Sequence, residues 1–286
     1  MATFTNQATL TYNNTQTLSN VTTGQILEQL TVEKTSLQQT YSAGERITYV
    51  LSLINSGTAD DLDLTVTDDL GAFAPTAQIG ETYPLTYDPG SLLVLADGVP
   101  VTAVQVASEE PLVLTGINVP AGGSVIAVYA AQVNGSAPLV SGSVITNTVT
   151  VSGGGLAEPV TATNTIGVNE APYLTVEKTL SPLTVTSNQR ITYTFVISNY
   201  GNAAAEADAD ASITDILTPA LVNLTATYNG ALWTAGEDYT YSEESGVFTS
   251  EPGVITVPAA TFSTLPDGTV STVPGTATLI LEGTVG

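Results

Sequence analysis

Ile145-Thr146-Asn147-Thr148-Val149-Thr150-Val151-Ser152 places a hydroxyl residue at every second position and Ile, Asn, Val and Val between them. A period of two is the repeat of a strand with one face buried, and Thr and Val suit a pleated surface. The same text stands near the start as Phe4-Thr5-Asn6-Gln7-Ala8-Thr9-Leu10-Thr11. Each copy runs through a polar turn and a second Thr-rich strand into a shared block, Leu30-Thr31-Val32-Glu33-Lys34-Thr35 or Leu174-Thr175-Val176-Glu177-Lys178-Thr179. The mid-chain copy therefore closes one domain and leads into the next. The N-terminal copy has no domain before it, and the second domain reaches Gly286 without a closing copy. The expectation is that one subunit completes another.

The repeat extends beyond these blocks. The chain's four basic residues, Lys34, Arg46, Lys178 and Arg190, form two pairs with one offset (178 − 34 = 144; 190 − 46 = 144). Gly44-Glu45-Arg46-Ile47-Thr48-Tyr49 matches Asn188-Gln189-Arg190-Ile191-Thr192-Tyr193, and both runs alternate onward to Asn55-Ser56-Gly57 and Asn199-Tyr200-Gly201. Short alternating runs, turn signals and the lack of any long helical period point to all-β sandwiches. The boundaries read as donor strands over 1–28, a first sandwich over 29–169 and an incomplete one over 170–286. Aligning Gly123 with Gly275 (275 − 123 = 152) sets Gly286 opposite Asn134, so the second domain lacks what the first carries from about Gly135 to Ile166.

Composition excludes several classes. With 27 acidic residues and a net charge of −23, nucleic acid and anionic membranes are poor partners. The absence of Cys and His removes disulfides, thiol nucleophiles, zinc fingers and imidazole acid–base chemistry. No apolar run is long enough for a membrane helix. Met1-Ala2-Thr3-Phe4 is not a basic region leading into an apolar stretch, so the expectation is a chain without a signal peptide. Asp60, Asp61, Asp63 and Asp69, and again Glu206, Asp208 and Asp210, cluster without the spacing of a calcium loop. They read as solvated loops, so no metal or cofactor is expected. Trp233 reads as packing, with a sugar platform as the remote alternative.

The N-terminal strands are expected to leave their own chain. Only Leu27 to Leu30 joins them to domain one, and extended chain spans roughly 14 Å over four residues. A domain of this size is about 35–40 Å long.

Each domain also turns polar residues toward its core. Lys34 shares a face with Leu30 and Val32, Lys178 with Leu174 and Val176, Asp68 with Leu64 and Val66, and Asp215 with Ile213 and Leu217. Asn147 shares one with Ile145, Val149 and Val151; Asn6 shares one with Phe4, Ala8, Leu10 and, by the same parity, Tyr12. A buried lysine is driven toward its neutral, nucleophilic form. Beside an amide carbonyl and a carboxyl able to shuttle protons, it can form an isopeptide bond with loss of ammonia. Asp68 would serve Lys34 and Asn147 within a chain, and Asp215 would serve Lys178 and Asn6 of the neighbouring subunit. The competing reading is a buried Lys–Asp ion pair hydrogen-bonded to an Asn amide.

The Lys-bearing first strand, Ile-Thr-Tyr running to Asn-x-Gly, the following Thr-Asp and the closing Ile-Thr-Asn-Thr-Val-Thr-Val together resemble the bacterial and archaeal surface repeat called domain of unknown function eleven. That resemblance implies immunoglobulin-like sandwiches in strings on a cell surface. The Lys/acid/Asn trio is similar to the isopeptide-forming domains of Gram-positive pili, which usually carry the acid on another strand. Strand donation resembles donor-strand pili, here with a hairpin as donor. The function expected is a non-enzymatic structural subunit of an extracellular fibre on a cell or spore surface. It would polymerise head-to-tail with itself, with an unknown tip or anchor protein as a further partner. The alternative is a monomeric surface adhesin or stalk that binds a host ligand through its loops.

Overall fold

The computed structural model describes residues 2–26, 29–76 and 80–286. The joint expected at Leu27 to Leu30 therefore lies partly outside the described residues, as do Met1 and the end of the second N-terminal strand at Leu27. The chain separates into two compact units, one of Met1–Pro138, Val144–Gly167 and Pro266–Thr269, the other of Leu139–Ser143, Val168–Leu265 and Val270–Gly286.

The N-terminal segment is an antiparallel hairpin of β1 (Ala2–Asn6), β2 (Thr9–Tyr12), β3 (Thr15–Leu18) and β4 (Thr22–Ile26). Its tip is Asn13-Asn14, with φ of 46° and 62°, the positive values a two-residue hairpin turn demands and Asn tolerates. Two long strands were expected here; each is broken in the middle. Asn6 faces Thr22, whereas Thr9 faces Leu18, so the second strand carries one extra residue between the ladders. That bulge is held by side chains: Ala8 N–H donates to Ser19 Oγ, and Gln7 Nε2 donates to Ser19 O. Every residue from Thr3 to Thr23 is exposed, on both faces.

Domain one follows with β5 (Leu30–Ser36), β6 (Thr40–Tyr41), β7 (Arg46–Asn55), β8 (Asp61–Asp68), β9 (Leu85–Tyr87), β10 (Leu93–Ala96), β11 (Val99–Val101), β12 (Gln105–Glu109), β13 (Leu112–Val119), β14 (Ser124–Val133), β15 (Val144–Gly153) and β16 (Val160–Val168). They make a two-layered, immunoglobulin-like sandwich. One sheet runs β11-β10-β14-β7-β5, with β9 also on β14; the other runs β12-β13-β8-β15-β16-β6. Alternation decides which side chains meet. Ile47, Tyr49, Leu51 and Leu53 of β7 face inward from the first sheet, and Leu64, Val66, Leu114, Ile145, Val149 and Val151 from the second, all at most 1% exposed.

Domain two repeats the first sheet faithfully. Its strands are β17 (Leu174–Ser181), β18 (Arg190–Asn199), β19 (Thr214–Ile216), β20 (Leu221–Tyr228), β21 (Ala231–Leu232), β22 (Tyr239–Tyr241), β23 (Val247–Ser250), β24 (Thr261–Thr264), β25 (Val270–Val273) and β26 (Gly275–Val285). The order β17-β18-β26-β20-β21 mirrors β5-β7-β14-β10-β11. The Asn-x-Gly corner repeats too: Asn55 Nδ2 donates to Ala59 O while its Oδ1 accepts from Gly57 N–H, and Asn199 does the same with Ala203 and Gly201. Between this sheet and β19-β23-β22 lies a core of Tyr193, Phe195, Leu217, Phe248, Leu279 and Leu281.

The second sheet of domain two is where the repeat stops. In domain one, β8 pairs with β13 on one side and β15 on the other. Its counterpart β19 is three residues long and pairs only with β23 among the described residues. Thr184 and Val185, at the positions of β6, form no strand, since β6 takes its partner from β16.

Candidate functional site

In domain one the trio converges. Lys34 comes from the edge strand β5, Asp68 from the end of β8, and Asn147 from β15, the strand beside β8. Lys34 Nζ donates to Asp68 Oδ2 at 2.6 Å, with both side chains at most 1% exposed. The Tyr129 hydroxyl donates to the same carboxylate oxygen, and Leu70 N–H donates to Oδ1 at 2.9 Å. Nζ also lies 4.9 Å from the centre of the Tyr49 ring, which stacks on Tyr129. Burial lowers the Lys34 pKa, and the Asp68 charge opposes that shift. Burial drives the Tyr129 hydroxyl well up, with the Asp68 charge adding to it.

Asn147 completes the cluster in an unusual state. It is fully buried, yet neither Nδ2 nor Oδ1 has a hydrogen-bond partner. The Tyr49 hydroxyl is also buried; burial pushes its pKa up, and a hydrogen-bonding contact with the Asn147 side chain opposes the shift, so these two groups are neighbours that fall short of good hydrogen-bond geometry. An unpaired buried amide costs about 1–3 kcal/mol. The reading as an ion pair hydrogen-bonded to an Asn amide therefore lacks its last bond. Asn147 stands two residues along β15 from Val149, which pairs with Asp68, so a lysine, a carboxylate and an amide are all buried in this sandwich.

Domain two holds two members of the trio. Lys178 Nζ donates to Asp215 Oδ2, and these side chains are 38% and 20% exposed. Nζ sits over the rings of Tyr193 and Phe195, 4.5 and 5.5 Å from their centres. The third member has no counterpart here. Asn6 lies on β1 in the exposed hairpin, where its backbone carbonyl accepts from Thr22 Oγ1. Phe4, Leu10 and Tyr12, expected from the sequence to donate a strand, are 54–62% exposed, and Ala8 is exposed beside them. Phe4 lays its ring against Gly24 across the ladder, so a side chain at that position would have to displace the ring.

Three residues of the domain-one cluster escaped the sequence reading. Tyr129 was legible only as the end of an alternating strand; its inward parity with Val125 and Ala127 is the signal that a hydroxyl points into the core. Tyr49 carried the same signal on β7. Asp69 was counted among acidic loop residues, but its Oδ1 accepts from Gly71 and Thr148 N–H and ties β15 in place. Of the other acidic residues, Asp60 accepts from Ala121 N–H, and Asp208 sits in a 3-10 turn over Ala207–Ala209. No group of three potential ligands gathers among the described residues. Trp233 stacks on Tyr228 at 5.1 Å against the domain-two core. No helix of the described residues is long and apolar enough to cross a membrane.

The site and fold define a class: an all-β chain of repeated sandwiches with a buried cluster of Lys, Asp, Asn and Tyr in domain one. No known protein family matches the chain, and no curated protein matches it. Among solved structures it is similar to the Bacillus cereus major pilin subunit BcpA in two crystal structures, at 14% and 15% identity with TM-scores of 0.37 and 0.35. Those alignments cover 87% and 96% of this chain, and 66% and 73% of BcpA. It is also similar to the pilus backbone protein RrgB of Streptococcus pneumoniae (12% identity, TM-score 0.33, 90% of this chain and 51% of that one). A collagen-binding domain of a Staphylococcus aureus adhesin matches at 10% identity and TM-score 0.30, over 49% of this chain and 99% of that domain. Likenesses this weak leave function to be argued from the residues.

Proposed function

We propose that the chain is a non-enzymatic structural subunit of an extracellular fibre, polymerising head-to-tail as its N-terminal hairpin completes domain two of a neighbouring copy. One observation carries this. Among the described residues β19 has an unpaired edge where β8 holds β15, with β16 beyond it, and the exposed hairpin bears the text of those two strands. Matching Asn6 to Asn147 (147 − 6 = 141) and Asp215 to Asp68 (215 − 68 = 147) transfers the β15–β8 register. It sets Ala8 opposite Asp215, Thr9 opposite Thr214 and Leu10 opposite Ile213.

Energetics favour the same pairing. A two-stranded hairpin is marginal alone in water. Phe4, Leu10 and Tyr12 would each gain on the order of 1.5–3 kcal/mol on full burial. The face they would cover is open at Val176, which is 59% exposed. A head-to-tail contact that does not close on itself builds an open filament. Within domain one, an isopeptide bond between the buried Lys34 and Asn147 would fix β5 to β15.

Deleting residues 2–26 tests the reading. The expected result is a folded chain that stays monomeric by sedimentation and electron microscopy at concentrations where the full chain forms filaments. A full chain that stays monomeric throughout would reject it.

A further inference from the structure

The same Lys–Asp pair is dry in domain one and wet in domain two, and domain one has β15 beside β8 where, among the described residues, β19 has no strand. From this, and resting on the donor-hairpin reading above, we infer that the subunit junction is a docking-gated ligation site: the incoming hairpin delivers Asn6 and at once takes Lys178 out of water, so the Lys178–Asn6 bond forms in the polymer and not in the free subunit.

Domain two already holds half of the pocket. Tyr193 and Phe195 wall one side of Lys178 Nζ, and Asp215 holds the amine itself. The open side is the one that β15 closes in domain one, where Lys34 and Asp68 are at most 1% exposed. Lys178 keeps 38% of its side chain in contact with water. In the transferred register, Ala8 and Leu10 cover the pair and Asn6 stands where Asn147 stands. Covering raises the cost of both charges together, so a proton moves from the Lys178 ammonium to the Asp215 carboxylate. The amine then adds to Asn6 Cγ while the Asp215 carboxyl hydrogen-bonds to the carbonyl oxygen. The Cγ–Nδ2 bond breaks, Nδ2 takes the proton released from Nζ, and ammonia leaves. An Nζ–Cγ amide remains, and the Asp215 proton returns to solvent. No oxidant or cofactor takes part. Domain two also has Leu281 where domain one has Tyr129, since both face the paired tyrosine of the next strand, Tyr193 or Tyr49. Asp215 thus has no counterpart of the phenol that donates to Asp68.

Two full-length variants that each lack one end of the bond provide the test. Asn6→Ala can accept a hairpin but not donate the amide; Lys178→Ala can donate but not accept. Separately, neither is expected to give any species larger than one chain in hot detergent. Mixed, they are expected to give a single covalent dimer and nothing longer. Peptide mapping of wild type should find the Lys178 peptide free in monomer, and in polymer joined to the Asn6 peptide with one ammonia lost. Docking is read independently by a Thr9→Cys and Thr214→Cys chain, which has no other cysteine and should form intermolecular disulfides. If that disulfide forms but the mixture yields no covalent dimer, ligation is overturned and strand donation stands. If the disulfide never forms, both fall. A monomer with Lys178 already linked would overturn the gating.

Discussion

Leu30 to Thr35 and Leu174 to Thr179 are the same six residues, and the fold treats them differently. In domain one Leu30 is 5% exposed and Lys34 3%; in domain two Val176 is 59% exposed and Lys178 is open to water. Their own sheets do not differ, because β5 pairs with β7 just as β17 pairs with β18. What differs is the layer opposite. A strand's burial is decided by the sheet that packs on it and not by its own text, so identical sequences report whether the opposite layer is complete. In domain one that layer has six strands, and in domain two the layer opposite β17-β18-β26-β20-β21 is the three-stranded β19-β23-β22.

The largest expected effect removes the contrast altogether. When the hairpin of a neighbour fills domain two, Lys178 should become as protected as Lys34. Amide hydrogen exchange of residues 174–181 and 213–216 should slow by orders of magnitude between monomer and filament, while residues 30–36 stay unchanged. Equal exchange in both states would break the comparison.

A second effect concerns Lys34 against Lys178. Lys34→Met strands the buried Asp68 carboxylate and should cost domain one about 3–5 kcal/mol in denaturant unfolding. The isopeptide reading adds a sign test. Asn147→Ala should destabilise domain one if a bond is lost. It should be neutral or stabilising, relieving an unpaired amide worth about 1–3 kcal/mol, if no bond exists.

Much of this was legible in the chain. The 144-residue offset of the four basic residues fixed the repeat, and strict alternation placed Lys34, Asp68 and Asn147 on inward faces before any coordinates. The hairpin's bulge was not legible, since it depends on Ser19 and Gln7 bonding to backbone two strands' worth of sequence away. Nor was Tyr129. Alternation tells which way a tyrosine points but not which of several inward carboxylates its hydroxyl meets, because that is set by packing between sheets. The orphaned amide of Asn147 was out of reach for the same reason: sequence places a polar group inside without saying whether it finds a partner.

A third effect, smaller, isolates that missed tyrosine. Tyr129→Phe removes one donor from the Asp68 carboxylate and keeps the ring that stacks on Tyr49. A hydrogen bond to a charged group is worth about 1.5–3 kcal/mol, and that is the expected loss in domain one. Leu281 says what to expect of the bond chemistry: domain two is built without the phenol, so the Lys34–Asn147 linkage should still form in Tyr129→Phe. Denatured mass should show the ammonia loss intact; a variant that retains its ammonia would make the hydroxyl necessary for the chemistry.

The smallest effect is the sharpest control. Lys178→Met in the monomer removes one member of an ion pair whose lysine is more than one-third exposed, where solvent screening leaves pairs worth about 0–1 kcal/mol. Unfolding of the monomeric variant should therefore match wild type within that range, although the same substitution at Lys34 costs several times more. The difference between two chemically identical changes measures what β15 and β16 do to a Lys–Asp pair. In filaments the comparison should reverse, because Lys178 is then covered as Lys34 is, and its loss should weaken the junction. A monomer that loses as much at Lys178 as at Lys34 would mean that domain two is already closed by its own chain.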